Sequence, residues 1–384
     1  MTHCNINHEY EELNVRADFP MMRDDKVYLD SASTSFVPQV VLDSMNKYIT
    51  TEHSNYNRGE NDLVLNTTNR VNEVRQKVAE LISANLDEII FTSGATASAE
   101  LIANKIAMSQ LLAGDEVMFC KLDHASTIRP WENLQKTLQR FSVDIVVKEI
   151  LIDLWGDYNE DDLIEKLSDK TKFVVLTHIH NVYGLEMGIK ELSARIREKN
   201  PNTQIILDVS QSIGYVPVSV KELDIDYLYF SGHKMFATTG VGVLYAKGKY
   251  YKDYEVGTPN IFGIVGLGSA IDYIKGIGIK RIENYIFYLT RYLYDRLKTI
   301  KGIEFNKGID TCKCVLGYGI ITFKHKTISS EEINEMLNYY KIYVRSNHFC
   351  QKGQDQYIRI SLSIYNTKKD IDKLIKVLSV ITEQ

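Results

Sequence analysis

No apolar run in this chain approaches the roughly 18–20 residues that a membrane span requires. The opening stretch, MTHCNINHEYEELNV, has neither the basic region nor the apolar stretch of a signal peptide, so the expectation is a cytoplasmic protein that contacts no membrane. Cysteine is sparse: Cys4, Cys120, Cys312, Cys314 and Cys350 are five thiols scattered over 384 residues, an odd number that argues against a disulfide framework and for reduced thiols. The pair in TCKCV has one residue between its thiols and neither a second pair nor a histidine cluster beside it, and no metal site is assigned. Excess charge of one sign is also missing. Forty-five basic against fifty acidic side chains give a net charge of -5, without the global field that attracts nucleic acid. With 44% apolar and 25% charged residues the chain also lacks the composition of a disordered protein. What remains is a soluble globular chain whose partner is a small molecule or another protein.

At about 100–200 residues per domain, the length predicts two domains or one large domain with an appendage. Between about residues 60 and 330, helical periods alternate with short β-rich runs, the pattern of an α/β fold with a mostly parallel sheet. Val71, Val74, Val78 and Leu81 recur at helical spacing, EIIFTSG reads as a strand, and ATASAELIANKIAMSQLLA reads as the helix after it. DEVMFCKL, KFVVLTHI, QIILDVS, DYLYFSG and GVGVLYA are strand candidates, several of them continuous apolar runs suited to burial on both faces. The amphipathic stretch RIENYIFYLTRYLYDRLKTI then leads toward a small α+β domain. That domain holds YGIITFKH, a helix opened by the capping box Ser329 to Glu332, QYIRISLSIY, and a last helix opened by Thr367 and Asp370. The division is 26–270 as the large domain and 271–384 as linking helix and small domain, with residues 1–25 assigned to the small domain.

Three features carry chemistry. In FTSGATASAE a strand ends at Gly94 and a helix begins, so unpaired backbone N–H groups could cradle a phosphate, although the same residues also make an ordinary helix cap. Asp208 sits near the carboxyl end of QIILDVSQS, where open parallel sheets bind ligands, and capping of the next helix is the alternative. Lys234 follows the apolar run of LYFSGHKMFATTG, and a partly desolvated lysine can act as a nucleophile toward an aldehyde, whereas an ordinary surface lysine cannot. Together, an anion cup, a carboxylate at a strand end and a lysine at the next strand end match what pyridoxal 5'-phosphate needs: a phosphate cradle, a partner for the pyridinium nitrogen and an amine for its aldehyde.

From YLDSASTSFVP to the last helix, the chain resembles the class V aminotransferase-like enzymes of the fold-type I pyridoxal-phosphate superfamily. Within them it is similar to the cysteine desulfurases that supply sulfur for iron-sulfur clusters, and to the related selenocysteine lyases. The resemblance implies a large domain with a mostly parallel seven-stranded sheet and a small C-terminal domain. It makes Lys234 of FSGHK the residue that binds the cofactor, with Ser231 and His233 close to the phosphate, Gly94, Ala95 and Thr96 around it, Asp208 on the pyridinium nitrogen, Gln211 on the phenolic oxygen and His124 of KLDHASTIRPW stacked on the ring. Asn181 of THIHNVYG and Arg359 of RISLSIYNT match residues that hold the substrate carboxylate, a group that suits a planar guanidinium. Thr258 of GTPN and Arg58 of YNRGE match residues lent to a neighbouring subunit, which implies a homodimer.

Cys350 of VRSNHFCQ occupies the position of the catalytic cysteine, with Arg345 and His348 beside it in sequence to favour its thiolate. The chain departs from the family pattern at Asn347 for a glycine, Phe349 for a histidine, Gln351 for a small residue, Asn57 for a histidine, and in a shortened segment before Gly257. The expected reaction is conversion of L-cysteine to L-alanine with sulfur left on Cys350 as a persulfide for an acceptor protein. L-Selenocysteine lysis, or aminotransferase, epimerase or carbon-sulfur lyase chemistry on another amino acid, is the alternative.

Overall fold

The computed structural model describes residues 11–153, 156–306, 317–347, 349 and 356–382. The elements that open the chain are β1 (Val27–Tyr28), α1 (Gln39–Lys47) and α2 (Asp62–Leu81). The large sheet and its helices follow as β2 (Ile89–Thr92), α3 (Ala95–Leu101), β3 (Glu116–Phe119), α4 (Ala125–Arg140), β4 (Val146–Glu149), α5 (Glu160–Lys166), β5 (Thr171–Thr177), α6 (Ile189–Lys199), β6 (Gln204–Asp208), β7 (Tyr227–Ser231) and β8 (Gly242–Ala246). After them come α7 (Ile261–Ile277), α8 (Ile279–Leu297), β9 (Ile303–Phe305), β10 (Ile320–His325), α9 (Ser330–Tyr339), β11 (Ile342–Tyr343), β12 (Arg345–Ser346), β13 (Ile358–Ser361) and α10 (Lys368–Thr382).

The predicted sheet has seven strands in the order β2-β8-β7-β6-β5-β3-β4, parallel except for β8. Its central strands are largely apolar because alternate side chains serve two cores. Phe173, Val175, Ile206, Tyr227 and Tyr229 face the core that holds Ala99 of α3 and Trp131 of α4. Their neighbours Val174, Leu176, Ile205, Leu207, Leu228 and Phe230 face the core that holds Val71 of α2 and Leu267 of α7.

The later elements form a four-stranded antiparallel sheet, β12-β13-β10-β9. The Ser329 capping box opens α9, Ser329 Oγ accepting from the Glu332 N–H at 3.2 Å and Glu332 Oε2 accepting from the Ser329 N–H at 3.1 Å. α7 and α8 meet at 77° around Gly278, whose φ of +95° suits glycine. Among the described residues no single helix is long and apolar enough to cross a membrane. The single helix predicted after Gly94 is two segments: α3 ends at Leu101 and Ile102–Ala107 widens into a π-helical turn, a change that apolar spacing does not signal. At the other end of the chain, β1 pairs in parallel with β11 and Asp30 bridges to Ser361, so the segment that opens the chain is woven into the C-terminal elements.

β2 and β8 approach each other most closely where the site begins. A Cβ on Gly242 would sit 2.5 Å from the Cα of Gly94, a backbone clash that no side-chain movement relieves. Gly242→Ala is therefore expected to cost roughly 1–3 kcal/mol in denaturant unfolding. Gly276→Ala, at an exposed α7 position where an added Cβ would meet nothing within 4 Å, is expected to be neutral or to stabilise by roughly 0.5–1 kcal/mol in the same measurement.

Candidate active site

The carboxyl ends of β5, β6 and β7 open into a cavity of about 220 Å³. Its walls include Ala95, Thr96, His124, Asn181, Asp208, Gln211, Ser231, His233, Lys234 and Arg359, so ten of the predicted residues converge there. Arg345, read from the sequence as a neighbour of Cys350, is in the same wall, and sequence reading missed others there, among them Ser33, Ser126, Ile179 and Ser210. Ser33 lies within the quoted YLDSAST stretch and Ser126 within KLDHASTIRPW, yet neither has a local pattern that distinguishes it from a capping serine.

Lys234 is delivered by the last turn of a strand. β7 ends at Ser231 and one 3-10 turn, Gly232–Lys234, follows. The turn is clamped by the loop after β1: the His233 carbonyl accepts from the Ser35 N–H at 2.8 Å and from Ser35 Oγ at 3.0 Å, while Ser35 Oγ accepts from the Phe236 N–H at 2.8 Å. Phe236 holds a φ of +69°, unusual for a bulky residue, and its complete burial keeps it there. On the far side of the cavity, Ser231 Oγ accepts from the Ala95 N–H at 2.8 Å, tying the end of β7 to the start of α3. Gly94, next to Ala95, is not among the residues that line the cavity, and its Cα lies against Gly242, whose added Cβ would sit 2.5 Å from it.

Strand alternation turns Asp208 toward α4. Its Oδ2 accepts from Thr127 Oγ1 at 3.0 Å, and Thr127 Oγ1 in turn accepts from Tyr229 O–H at 3.1 Å. Oδ1 accepts from the Ser210 N–H at 2.9 Å, so the carboxylate is fixed in direction although only 6% exposed. Gln211 donates from Nε2 to the Ala32 carbonyl at 2.9 Å.

His124 caps α4. Its Nδ1 accepts from the Ser126 N–H at 3.2 Å, which places the proton of the neutral ring on Nε2. Burial, then the Lys234 charge, hold His124 down to about 4 against the opposing pull of Asp208, so the ring is neutral at neutral pH. Burial and Lys234 likewise hold His233 down to about 4. Arg359, 3% exposed, donates from Nη1 to the Asn181 carbonyl at 3.0 Å and from Nη2 to Asp30 Oδ1 at 3.0 Å and Ser33 Oγ at 2.8 Å. Burial pulls its guanidinium below the usual value and Asp30 opposes that.

Four buried atoms of cavity-lining residues have no hydrogen-bond partner: Arg359 Nε, Thr177 Oγ1, Asn181 Oδ1 and Ser210 Oγ. Unpartnered buried polar atoms are costly, so the cavity is built for an occupant that is polar. Thr258 and Arg58 lie elsewhere. Thr258 lines a second cavity of about 400 Å³ with Ser93, Lys105 and Gly257, and Arg58 is exposed. Cys350, His348 and Gln351, like Cys4, Cys312 and Cys314, lie outside the described residues. Asn347, which stands where the family pattern has glycine, holds a φ of +54°, a conformation that asparagine tolerates better than most residues.

Asp123 precedes His124 and was not singled out by its sequence. It is fully buried, with Tyr158 O–H donating to Oδ1 at 3.2 Å and Oδ2 at 3.0 Å. Burial first, with the nearby Asp208 adding to it, pushes its carboxyl up to about 7 although Tyr158 pulls the other way. Between the unfolded value of about 4 and this folded value the unfolded chain releases a proton that the folded one keeps, so this group lowers stability as pH rises. Asp123→Asn removes that effect. Its melting temperature relative to the wild type is expected to climb by several degrees from about pH 5 to pH 7 and to level off above that, in thermal melts across the range; a flat difference would mean that Asp123 titrates like an exposed carboxyl.

The family model described as Aminotransferase class-V matches residues 27–253 and 248–374. A cysteine desulfurase from Wigglesworthia glossinidia brevipalpis is 30% identical over 410 residues, covering 96% of this chain and 97% of its own. A probable cysteine desulfurase from Halalkalibacterium halodurans is 31% identical over 407 residues, covering 96% of each. Among solved structures, the apo cysteine desulfurase from Thermococcus onnurineus NA1 superposes with a TM-score of 0.88 at 26% identity, covering 96% of this chain and 97% of its own. The chain belongs to the class V aminotransferase family.

Proposed function

We propose that the protein is a pyridoxal-phosphate-dependent cysteine desulfurase. The observation that carries this reading is the convergence of Lys234, Asp208, neutral His124 and the buried Arg359 on one cavity, in a chain whose near-full-length relatives bear that name. The donor set fits the cofactor. Lys234 has the amine that would hold its aldehyde, Asp208 a fixed buried carboxylate that would partner a ring nitrogen, Gln211 an amide that would serve the ring's oxygen, and Ala95, Thr96, Ser231 and His233 would form a polar edge for its phosphate. Pyridoxal 5'-phosphate, when bound, supplies an electron-withdrawing ring that acidifies the α-C–H bond of an amino acid.

The residues of the chain do the rest. Arg359 and Asn181 bind the substrate carboxylate and so set which bond of the α-carbon is broken. Lys234 takes and returns the α-proton. The neutral ring of His124, carrying its proton on Nε2, would lie against the cofactor and has a proton to pass. The Cys350 thiolate takes the substrate sulfur, so that L-cysteine and one thiol become L-alanine and one persulfide, which an acceptor protein then consumes. Thr258 and Arg58, both away from the cavity of their own chain, support a homodimer in which each serves the partner's site. The division into domains, with the first 25 residues joined to the small one, is supported by Arg16, which pairs with Asp370 at 2.8 Å. A thiol that must stay reduced suits the cytoplasm.

The test is incubation of the cofactor-loaded protein with L-cysteine without reductant, followed by peptide mass spectrometry and assay of alanine. One added sulfur atom on Cys350 with alanine in solution is the expected result. Cys350→Ala and Lys234→Ala are each expected to lower alanine formation by about 100-fold or more. An unmodified Cys350 and no alanine would sink the reading and direct attention to other amino acids.

A further inference from the structure

Phe349 stands where the family pattern has a histidine, and the proposed reaction gives it no task. It lines the cavity, 2% exposed, and its ring is held by Val182, Tyr183 and Leu185. The ring centroid lies 5.5 Å from the guanidinium carbon of Arg359, and its main-chain oxygen accepts from Asn181 Nδ2 at 3.3 Å. One residue therefore touches both groups assigned to the substrate carboxylate, one through its ring and the other through its backbone.

We propose that Phe349 is a specificity-determining residue that sets the affinity of the site for an α-carboxylate. An aromatic ring near a guanidinium excludes water without using any N–H, so donors at the edge of the guanidinium plane stay available. Three donors of Arg359 are already taken by Asn181, Asp30 and Ser33, and buried Nε has no partner. A carboxylate that reaches this edge meets a positive charge with little competing water, where a charge-assisted hydrogen bond is strongest. The contact from the Asn181 amide to the Phe349 carbonyl fixes the second carboxylate residue in the same frame. A histidine at 349 would bring its own donors and its own titration; phenylalanine brings neither.

The proposal rests on the amino-acid reading of the cavity, and its test separates the two. Dissociation constants for L-alanine and L-alaninamide would be measured by calorimetry on the full-length, cofactor-loaded wild type, Phe349→Leu and Phe349→Tyr, alongside KM for L-cysteine. Leucine keeps the apolar volume but lacks the aromatic face; tyrosine keeps the face. Phe349→Leu is expected to bind L-alanine about fivefold more weakly and to raise KM by a similar factor, with L-alaninamide unchanged and Phe349→Tyr close to the wild type. Equal loss for L-alanine and L-alaninamide, or no loss for either, would overturn it. Should the leucine variant not fold, judged by its melting curve, Phe349→Met is measured in its place against the same expectations. A wild type that forms no alanine from L-cysteine, yet binds L-alanine in the Phe349-dependent way described, would remove the desulfurase reading and support this one.

Discussion

The ion pair between Arg359 and Asp30 is the contact on which the site depends. Asp30 belongs to the loop after β1, Arg359 to β13 and the carbonyl that shares the guanidinium to Asn181 at the end of the large sheet, so one buried cation joins three parts of the chain. A charge removed from water this far is tolerated only with partners, and losing one partner of such a pair typically costs about 3–5 kcal/mol. The backbone reinforces the pair, since Asp30 and Ser361 form a bridge and the Ser361 N–H donates to the Leu29 carbonyl at 2.7 Å. The geometry that admits a carboxylate is thus also the geometry that holds the opening strand against the small sheet.

From that frame the electrostatics of the cavity follow. Burial keeps both His124 and His233 neutral, and the charge of Lys234 acts in the same direction. Asp208 is held by hydroxyl and backbone donors, which orient the carboxylate without neutralising it. The same loop that supplies Asp30 supplies Ser35, whose hydroxyl and N–H close the turn over Lys234. The Arg359 side and the Lys234 side of the cavity therefore share one short segment, YLDSASTS.

Much of this was legible along the chain. The continuous apolar runs around Val174, Ile206 and Leu228 announced strands buried on both faces, and two cores occupy those faces. Asp208 and Lys234 were visible because one ends its strand and the other closes the turn after the next strand, and sheet topology then carries both to the same edge. Gly242 was not legible in this way. Its need for a bare Cα comes from the backbone of Gly94, almost 150 residues away, and a glycine in an apolar strand looks the same whether or not another backbone passes beside it.

Local pattern by itself determined the α/β class and the strands and caps, and it picked out Lys234 and Asp208 as candidates, since each depends on residues a few positions apart. Tertiary structure alone decided which polar groups are buried and what they face. The bonds from Arg359 to Asn181 and to Asp30 span 178 and 329 residues, and Phe349 near that guanidinium is a relation between a loop and a strand that no periodicity encodes. Desolvation, which sets the charge of His124 and the strength of the carboxylate donors, exists only once the chain has closed around them.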